Sequence, residues 1–233
     1  MRSNAKALSK ELTTKIIREL NFATNFSYNV SMKVLEDTKV QLIDLLMKES
    51  KGIIQVSQFL NLGVSKPLLY SYIKENNLKR VSHGIYVTQE SWIDYMYILH
   101  LRCKQAIFSH ETALFMHNIT NREPLQYTIT VKTGYNPKYL KEDGFLVHTI
   151  KEELFDVGAI RMNTPYNHVV PAYNKERTIC DILRNRRSTD IQVLQDALKQ
   201  YASRRDKDLR TLMKYATIFK VEKILRPYLE VLL

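Results

Sequence analysis

Residues Lys51 to Val87 read KGIIQVSQFLNLGVSKPLLYSYIKENNLKRVSHGIYV, and the organisation of the chain follows from this stretch. Val56, Phe59 and Leu60 recur at helical spacing, and Leu62-Gly63-Val64 supplies a tight turn in which Gly63 is free to take a positive φ. Ser65 is placed to cap a second helix, and Pro67 falls in its first turn, where backbone N–H groups have no helical partner. That helix runs to about Asn76, with Leu69, Tyr72 and Ile73 on one face. The opposite face carries Lys66, Pro67, Tyr70, Ser71 and Lys74. Leu78 to Val81 and Ile85 to Val87 then read as two short strands around a Ser82-His83-Gly84 turn. Helix, turn, helix and basic hairpin is the outline of a winged helix-turn-helix, a motif whose second helix normally enters a DNA major groove.

The residue types on the polar face fit that chemistry. Lys66 and Lys74 are placed to reach phosphates, while Tyr70 and Ser71 are placed to touch base edges or sugar. Lys79, Arg80 and His83 put positive or ionisable groups on the hairpin, where a wing meets backbone or minor groove. Winged helices also serve as protein-docking modules, so the pattern leaves that alternative open. An acidic recognition face would have excluded DNA; this one is basic.

The composition is that of an ordered globular protein. At 233 residues the chain fits one large or two small domains with a real core. Net charge is +11, and both halves contribute: residues 1–90 hold 13 Lys/Arg against 8 Asp/Glu, and residues 91–233 hold 22 against 16. An even basic excess fits a polyanionic partner, or simply a solvated surface. Only two cysteines occur, Cys103 and Cys180, which argues against a disulfide framework or zinc cluster and suits a reducing cytoplasm. No apolar run approaches the ~18–20 residues that span a bilayer. The N-terminal MRSNAKALSKELTTK lacks the apolar core of a signal peptide, so a cytoplasmic protein with no membrane partner is expected.

Residues 1–34 read as a helical extension, with Leu8, Leu12, Ile16 and Leu20 recurring every four residues up to about Asn21. That stripe suits a dimerisation arm or a helix packed back on its own domain. The winged domain is placed at 35–90. Its first helix runs from about Ser31 to Lys48, with Leu35, Leu42, Ile43, Leu45 and Leu46 as the buried face. Beyond Glu90, Ser91–His100 is apolar and helical and is expected to bury Trp92. Ser109–His117 reads as a short helix capped by Ser109. Gln126–Lys132 alternates like a half-buried strand, with Tyr127, Ile129 and Val131 on one face. Phe145–Ile150, Gly158–Met162 and His168–Tyr173 are further strands, the last expected near an edge because of Pro171. Helices follow over Lys175–Arg184, Asp190–Ser203, Asp206–Phe219 and Val221–Leu232. The fold class is therefore α+β: an N-terminal winged helix-turn-helix domain, then a C-terminal domain at 91–233 with a small β-sheet and several helices.

Catalytic motifs are absent from the sequence. His100 with Cys103, or His110 with His117, match no standard metal spacing, and neither CxxC nor HExxH occurs. Glu152, Glu153 and Asp156 cluster as nuclease carboxylates do, but read as an acidic, solvated loop. There is no GxSxG, P-loop or GxGxxG, so neither an enzyme nor a cofactor is expected. Asn174–Arg184 is more distinctive. Asn174 caps a helix, Glu176 sits in its first turn where the dipole favours negative charge, and Arg177 and Asp181 stand at i,i+4. This is either a polar cluster facing a partner or an internal ion pair fixing the helix against the sheet. Arg184, Arg186, Arg187, Arg204, Arg205, Lys207, Arg210 and Lys214 then crowd the helical end, as a patch for DNA, a nucleotide or RNA, or as solvated helix faces.

In this order the pieces resemble the AbiEi family, the antitoxin halves of abortive-infection (AbiE) toxin–antitoxin systems. The resemblance rests on the winged segment from Ile53 to Val87 ending in Arg80-Val81-Ser82-His83-Gly84-Ile85-Tyr86, on SHETALFMHNIT (Ser109–Thr120), on TITV (Thr128–Val131) and on KERTICDILR (Lys175–Arg184). It covers roughly residues 36–215. It implies a type IV antitoxin and autorepressor: the winged domain binds inverted repeats in its own promoter as two copies on double-stranded DNA. It further implies that the C-terminal domain counteracts a cognate nucleotidyltransferase toxin without a stable complex, in phage defence or plasmid maintenance. The residues themselves leave two competitors: a nuclease docked by a winged helix, using Glu152, Glu153 or Asp156 to hold a metal, and a ligand-sensing repressor unrelated to a toxin.

Overall fold

The computed structural model describes the backbone of residues 28–232 and the side chains of residues 37–232. The helix read over Leu8–Asn21 lies outside the described residues. Among them the fold is α+β, with eleven helices and two small sheets. The chain divides into two compact units between Ile93 and Asp94, where the sequence placed a boundary near Glu90.

The first unit contains α1 (Tyr28–Glu49), β1 (Ile53–Gln55), α2 (Val56–Asn61), α3 (Lys66–Glu75), β2 (Lys79–Ser82) and β3 (Ile85–Val87). Its antiparallel sheet has the order β1-β3-β2, with Ile53 opposite Val87 and Arg80 opposite Tyr86. Strand β1 was not legible: three residues running straight into α2 are too short for alternation to show. The α2–α3 turn works as its glycine requires, with Gly63 at φ 81° and Val64 buried behind it. Ser65 caps α3 by accepting from the Leu68 N–H. Ile43, Met47, Ile54, Phe59, Leu69, Ile73 and Leu78 form the core, each side chain contributing about 1.5–3 kcal/mol by burial. The buried stripe of α1 differs from the expected one. Ile43 and Met47 point inward, whereas Leu45 is 48% exposed, because Leu42–Met47 is apolar over more than one helical face.

The second unit begins on a different helix from the one expected. Residues Ser91–Asp94 are non-helical, Trp92 is 77% exposed, and α4 (Tyr95–Arg102) starts only where Asp94 accepts from the Tyr97 N–H. A residue that caps a helix cannot also lie inside it. Then come β4 (Ile107–Phe108), α5 (His110–Met116), β5 (Thr128–Lys132), α6 (Lys138–Glu142), β6 (Leu146–Ile150), α7 (Glu152–Phe155), β7 (Ala159–Asn163) and β8 (Val169–Tyr173). The helical end is α8 (Lys175–Arg184), α9 (Ile191–Ser203), α10 (Leu209–Ile218) and α11 (Glu222–Leu232). The sheet order is β6-β5-β4-β8-β7, with β5/β6 and β4/β8 parallel and the other pairs antiparallel.

Strand β8 is thus inside the sheet, not at its edge. Pro171 is tolerated because the neighbouring β4 is registered with β8 only at Phe108↔Ala172, so little of a ladder is lost. The sheet separates two cores. Phe108, Ile129, Val131, Val170 and Ala172 face α4 and α6, while Ile107, Ile150 and Tyr173 face α5 and α8–α11. On β5 this leaves Thr128 and Thr130, both buried, on the side away from Ile129 and Val131. The sheet therefore turns a partly polar face toward α5 and α8.

Candidate functional site

Helix α3 shows its two faces cleanly. Leu69, Tyr72 and Ile73 are buried, and the Tyr72 hydroxyl donates to Asp44 of α1 at 2.6 Å, fixing the helix rotation. Burial, then that hydrogen bond to a carboxylate, raises the Tyr72 phenol above its ordinary value. With the rotation set, Lys66, Pro67, Tyr70, Ser71 and Lys74 are all exposed. The face is less purely basic than the sequence implied: the Ser71 hydroxyl donates to Glu75 at 2.7 Å, which leaves its oxygen lone pairs as acceptors.

The hairpin adds Lys79, Arg80 and His83, all exposed. A register shift between Arg80 and Ser82 bends β2, the effect of a bulge on a strand end. Arg80 donates from Nε to the Ser82 carbonyl at 3.3 Å, and its Nη2 lies 3.3 Å from His83 Nδ1. The loop therefore holds its guanidinium and imidazole side by side. Helix and hairpin together present exposed cations, a phenol and a hydroxyl, a donor and acceptor set suited to a phosphodiester backbone and base edges.

The second unit sorts its candidate residues differently. Asn174 accepts from the Arg177 N–H at 2.9 Å and caps α8. Glu176, Arg177 and Asp181 are buried. Arg177 is 0% exposed; its Nε donates to Asp181 Oδ2 at 2.9 Å, its Nη1 donates to the Leu154 and Val157 carbonyls, and its plane lies between the Tyr173 and Phe219 rings. Burial pushes the Asp181 carboxyl above its usual range, and Arg177 and Arg184 pull it part of the way back. Of the two roles left open for this pair, the geometry is that of the internal one. Gly158 makes room for it: at φ +78°, a Cβ there would lie 2.7 Å from the Arg177 Cβ.

Glu176 is also internal. It accepts from the Tyr201 hydroxyl at 3.1 Å and the Asp208 N–H at 3.3 Å, joining α8 to α9 and to the start of α10. The arginine patch divides. Arg204 is paired with Asp206 at 2.7 Å and donates to the His117 carbonyl, and Lys175 holds the same aspartate at 2.6 Å. The Arg204 and Lys175 hydrogen bonds hold Asp206 far below the usual carboxylate range. Arg184, Arg186, Arg187, Arg205 and Arg210 are exposed. Glu152 pairs with Lys132 at 2.7 Å and Glu153 with Lys151 at 3.8 Å; the segment read as an acidic loop contains α7.

Ser109 precedes α5 as expected but makes no side-chain cap. Its hydroxyl accepts instead from Thr130 at 2.9 Å and meets His110 Nδ1 at 3.0 Å. His110 does not join His117, which bonds the Tyr173 carbonyl; it stacks on His148, with ring centroids 3.8 Å apart. His148 was missed by the sequence reading. The available signal was its place in LVHTI, on the same strand face as the buried Ile150.

No protein-family model matches the chain and no curated protein matches it. Among solved structures the chain is similar to one titled "Crystal structure of RV2827C protein from Mycobacterium tuberculosis", with a TM-score of 0.51 and 15% sequence identity over 76% of this chain and 70% of that one. At that identity the likeness is one of fold.

Proposed function

We propose that the protein is a sequence-specific DNA-binding repressor, with the first unit a winged helix-turn-helix whose α3 enters the major groove and whose β2–β3 hairpin is the wing. The observation that carries this is the exposed set Lys66, Tyr70, Ser71, Lys74, Lys79, Arg80 and His83, presented by one helix and the hairpin beside it while the apolar side of α3 is sealed in the core. Following the resemblance to AbiEi antitoxins, we further propose autorepression of its own operon from inverted repeats, and a second unit that counteracts a nucleotidyltransferase toxin. No residue is assigned a catalytic role.

The test is binding of the full chain to the duplex upstream of its own gene, against random duplex at physiological salt. Selective binding is expected, and K66A/K74A/R80A together should weaken it and flatten the salt dependence by about 0.9 in log–log slope per lost phosphate contact. An unchanged slope would move the contact surface elsewhere. Growth rescue from a neighbouring toxin gene, by the full chain and by the triple variant, separates repression from neutralisation. Rescue that survives in the triple variant assigns neutralisation to the second unit; no rescue by either removes the antitoxin part and leaves the repressor.

A further inference from the structure

Four segments far apart in sequence meet around one small polar cavity in the second unit. It has a volume of about 130 Å³ and is lined by His110, Thr130, His148, Arg177, Asp181 and Arg184, among others. The fold explains why it is polar. Thr130 and His148 are register partners on adjacent parallel strands and share the sheet face turned toward α8. Arg177, Asp181 and Arg184 stand at i, i+4 and i+7, on one face of that helix. His110 closes one wall from a left-handed backbone conformation (φ 50°), uncommon outside glycine and of the kind that concentrates at ligand sites.

One atom in this arrangement is unsatisfied. Arg177 Nη2 is buried and meets no hydrogen-bond partner, although every other side of the guanidinium is engaged. A buried donor left unpaired costs about 1–3 kcal/mol, more when charged, and in a native protein it calls for a water or an ion. The charge balance selects the sign. Arg177 and Arg184 bring two positive charges against the one carboxylate of Asp181; Glu111 is the further acid acting on His148. Burial holds both histidines below their ordinary value, so near neutral pH they offer hydrogen bonds without charge. Arg184 is loosely held, 4.0 Å from Asp181, and 42% exposed, so it can turn over an incoming group. The volume is well below that of sites for drug-sized ligands, ~300–1,000 Å³.

We propose that this cavity binds a phosphate group, with Arg177 and Arg184 as its cationic anchors and His148 as a further hydrogen-bonding wall. The phosphate is either free or carried by a nucleotide. Guanidinium groups are the side chains best matched to phosphate oxygens, and Arg177, whose Nη2 has no hydrogen-bond partner in the protein, is one of the residues lining the cavity. The site lies wholly in the second unit and stands independently of the DNA reading.

The experiment is calorimetric titration of the full chain, in phosphate-free buffer, with inorganic phosphate, with adenosine monophosphate and with acetate. Saturable binding of phosphate or the nucleotide, one per chain, is expected, weakened at least about tenfold by Arg184→Ala and unaffected by K66A/K74A/R80A. Tighter binding of the nucleotide would identify the carried phosphate; binding of inorganic phosphate alone would identify the free ion. His148→Ala provides a second variant should Arg184→Ala lose its fold by circular dichroism. No saturable binding up to about 10 mM, acetate binding as well as phosphate, or folded Arg184 and His148 variants that bind like the parent would each overturn the assignment.

Discussion

Helices α3 and α8 are each ten residues long and each begins behind a side-chain cap, yet they use charge in opposite ways. Helix α3 buries Leu69, Tyr72 and Ile73 and leaves Lys66 and Lys74 outside. Helix α8 buries eight residues in succession, Glu176 to Leu183, three of them charged. The difference lies in what each charge finds within reach. Arg177 has a carboxylate one turn away, two carbonyls from the end of α7 and two aromatic faces. Around α3 the adjacent acid, Glu75, accepts from Ser71, and among the described residues neither lysine has a salt bridge to it or a ring over it. A guanidinium engaged on most of its sides is a structural element even with one nitrogen left over; an ammonium without such partners stays at the surface, available to a polyanion.

The sharpest break of this comparison is Arg177→Ala. Removing one member of a buried ion pair strands the other, here Asp181 at 3% exposure, and should cost about 3–5 kcal/mol of stability in the second unit. Chemical denaturation followed by circular dichroism would read it. A loss under about 1 kcal/mol would show that Arg177 is no better anchored than a surface charge. On α3 the corresponding large effect belongs to an apolar residue. Leu69→Ala should destabilise the first unit by about 2–5 kcal/mol. The substitutions K66A and K74A should each change stability by no more than about 0.5 kcal/mol and, under the proposed function, weaken binding to the duplex.

How far the sequence carried can be judged on these same two helices. The periodicity of α3 was sufficient, because its polar and apolar residues separate onto two faces and no long-range contact reverses the pattern. On α8 the i,i+4 spacing of Arg177 and Asp181 was visible, but not whether they point in or out. That is decided by Tyr173, Phe219 and the Leu154 and Val157 carbonyls, which arrive from elsewhere in the chain. The same holds for the cavity: Thr130 and His148 become neighbours only through parallel strand register, which no local pattern encodes. Short elements were lost for another reason. Strands of two and three residues, β4 and β1, carry too few side chains for a period, and Trp92 is exposed although its apolar neighbours have the pattern of a buried helix.

A further expected effect concerns protons, and it bears on the contrast between outward and inward polar groups. Burial, then His148, Arg177 and Arg184, holds the His110 imidazole well below its ordinary value of 6.5. In the unfolded chain the ring takes a proton as pH falls through 6.5; in the folded unit it does not until a lower pH. The unfolded state therefore binds more protons in that interval, so the stabilisation is present in full above 6.5 and is lost as pH falls toward and through the folded value. The second unit should lose stability between about pH 7 and about pH 5, with a slope from His110 of at most about 1.4 kcal/mol per pH unit. His100, His117 and His148 are shifted the same way, chiefly by burial, and add to it. His110→Asn keeps a residue that tolerates the left-handed backbone and should reduce the slope without abolishing it. Asp94 supplies an internal control: burial would raise its carboxyl, but hydrogen bonds from His168, Thr164 and the Tyr97 N–H outweigh that and lower it. Its contribution is lost only below 3.8, a separate window. If the slope between pH 7 and 5 were the same in the His110→Asn protein, the ring would titrate as a surface histidine does, and the inward character assigned to this wall of the cavity would fail.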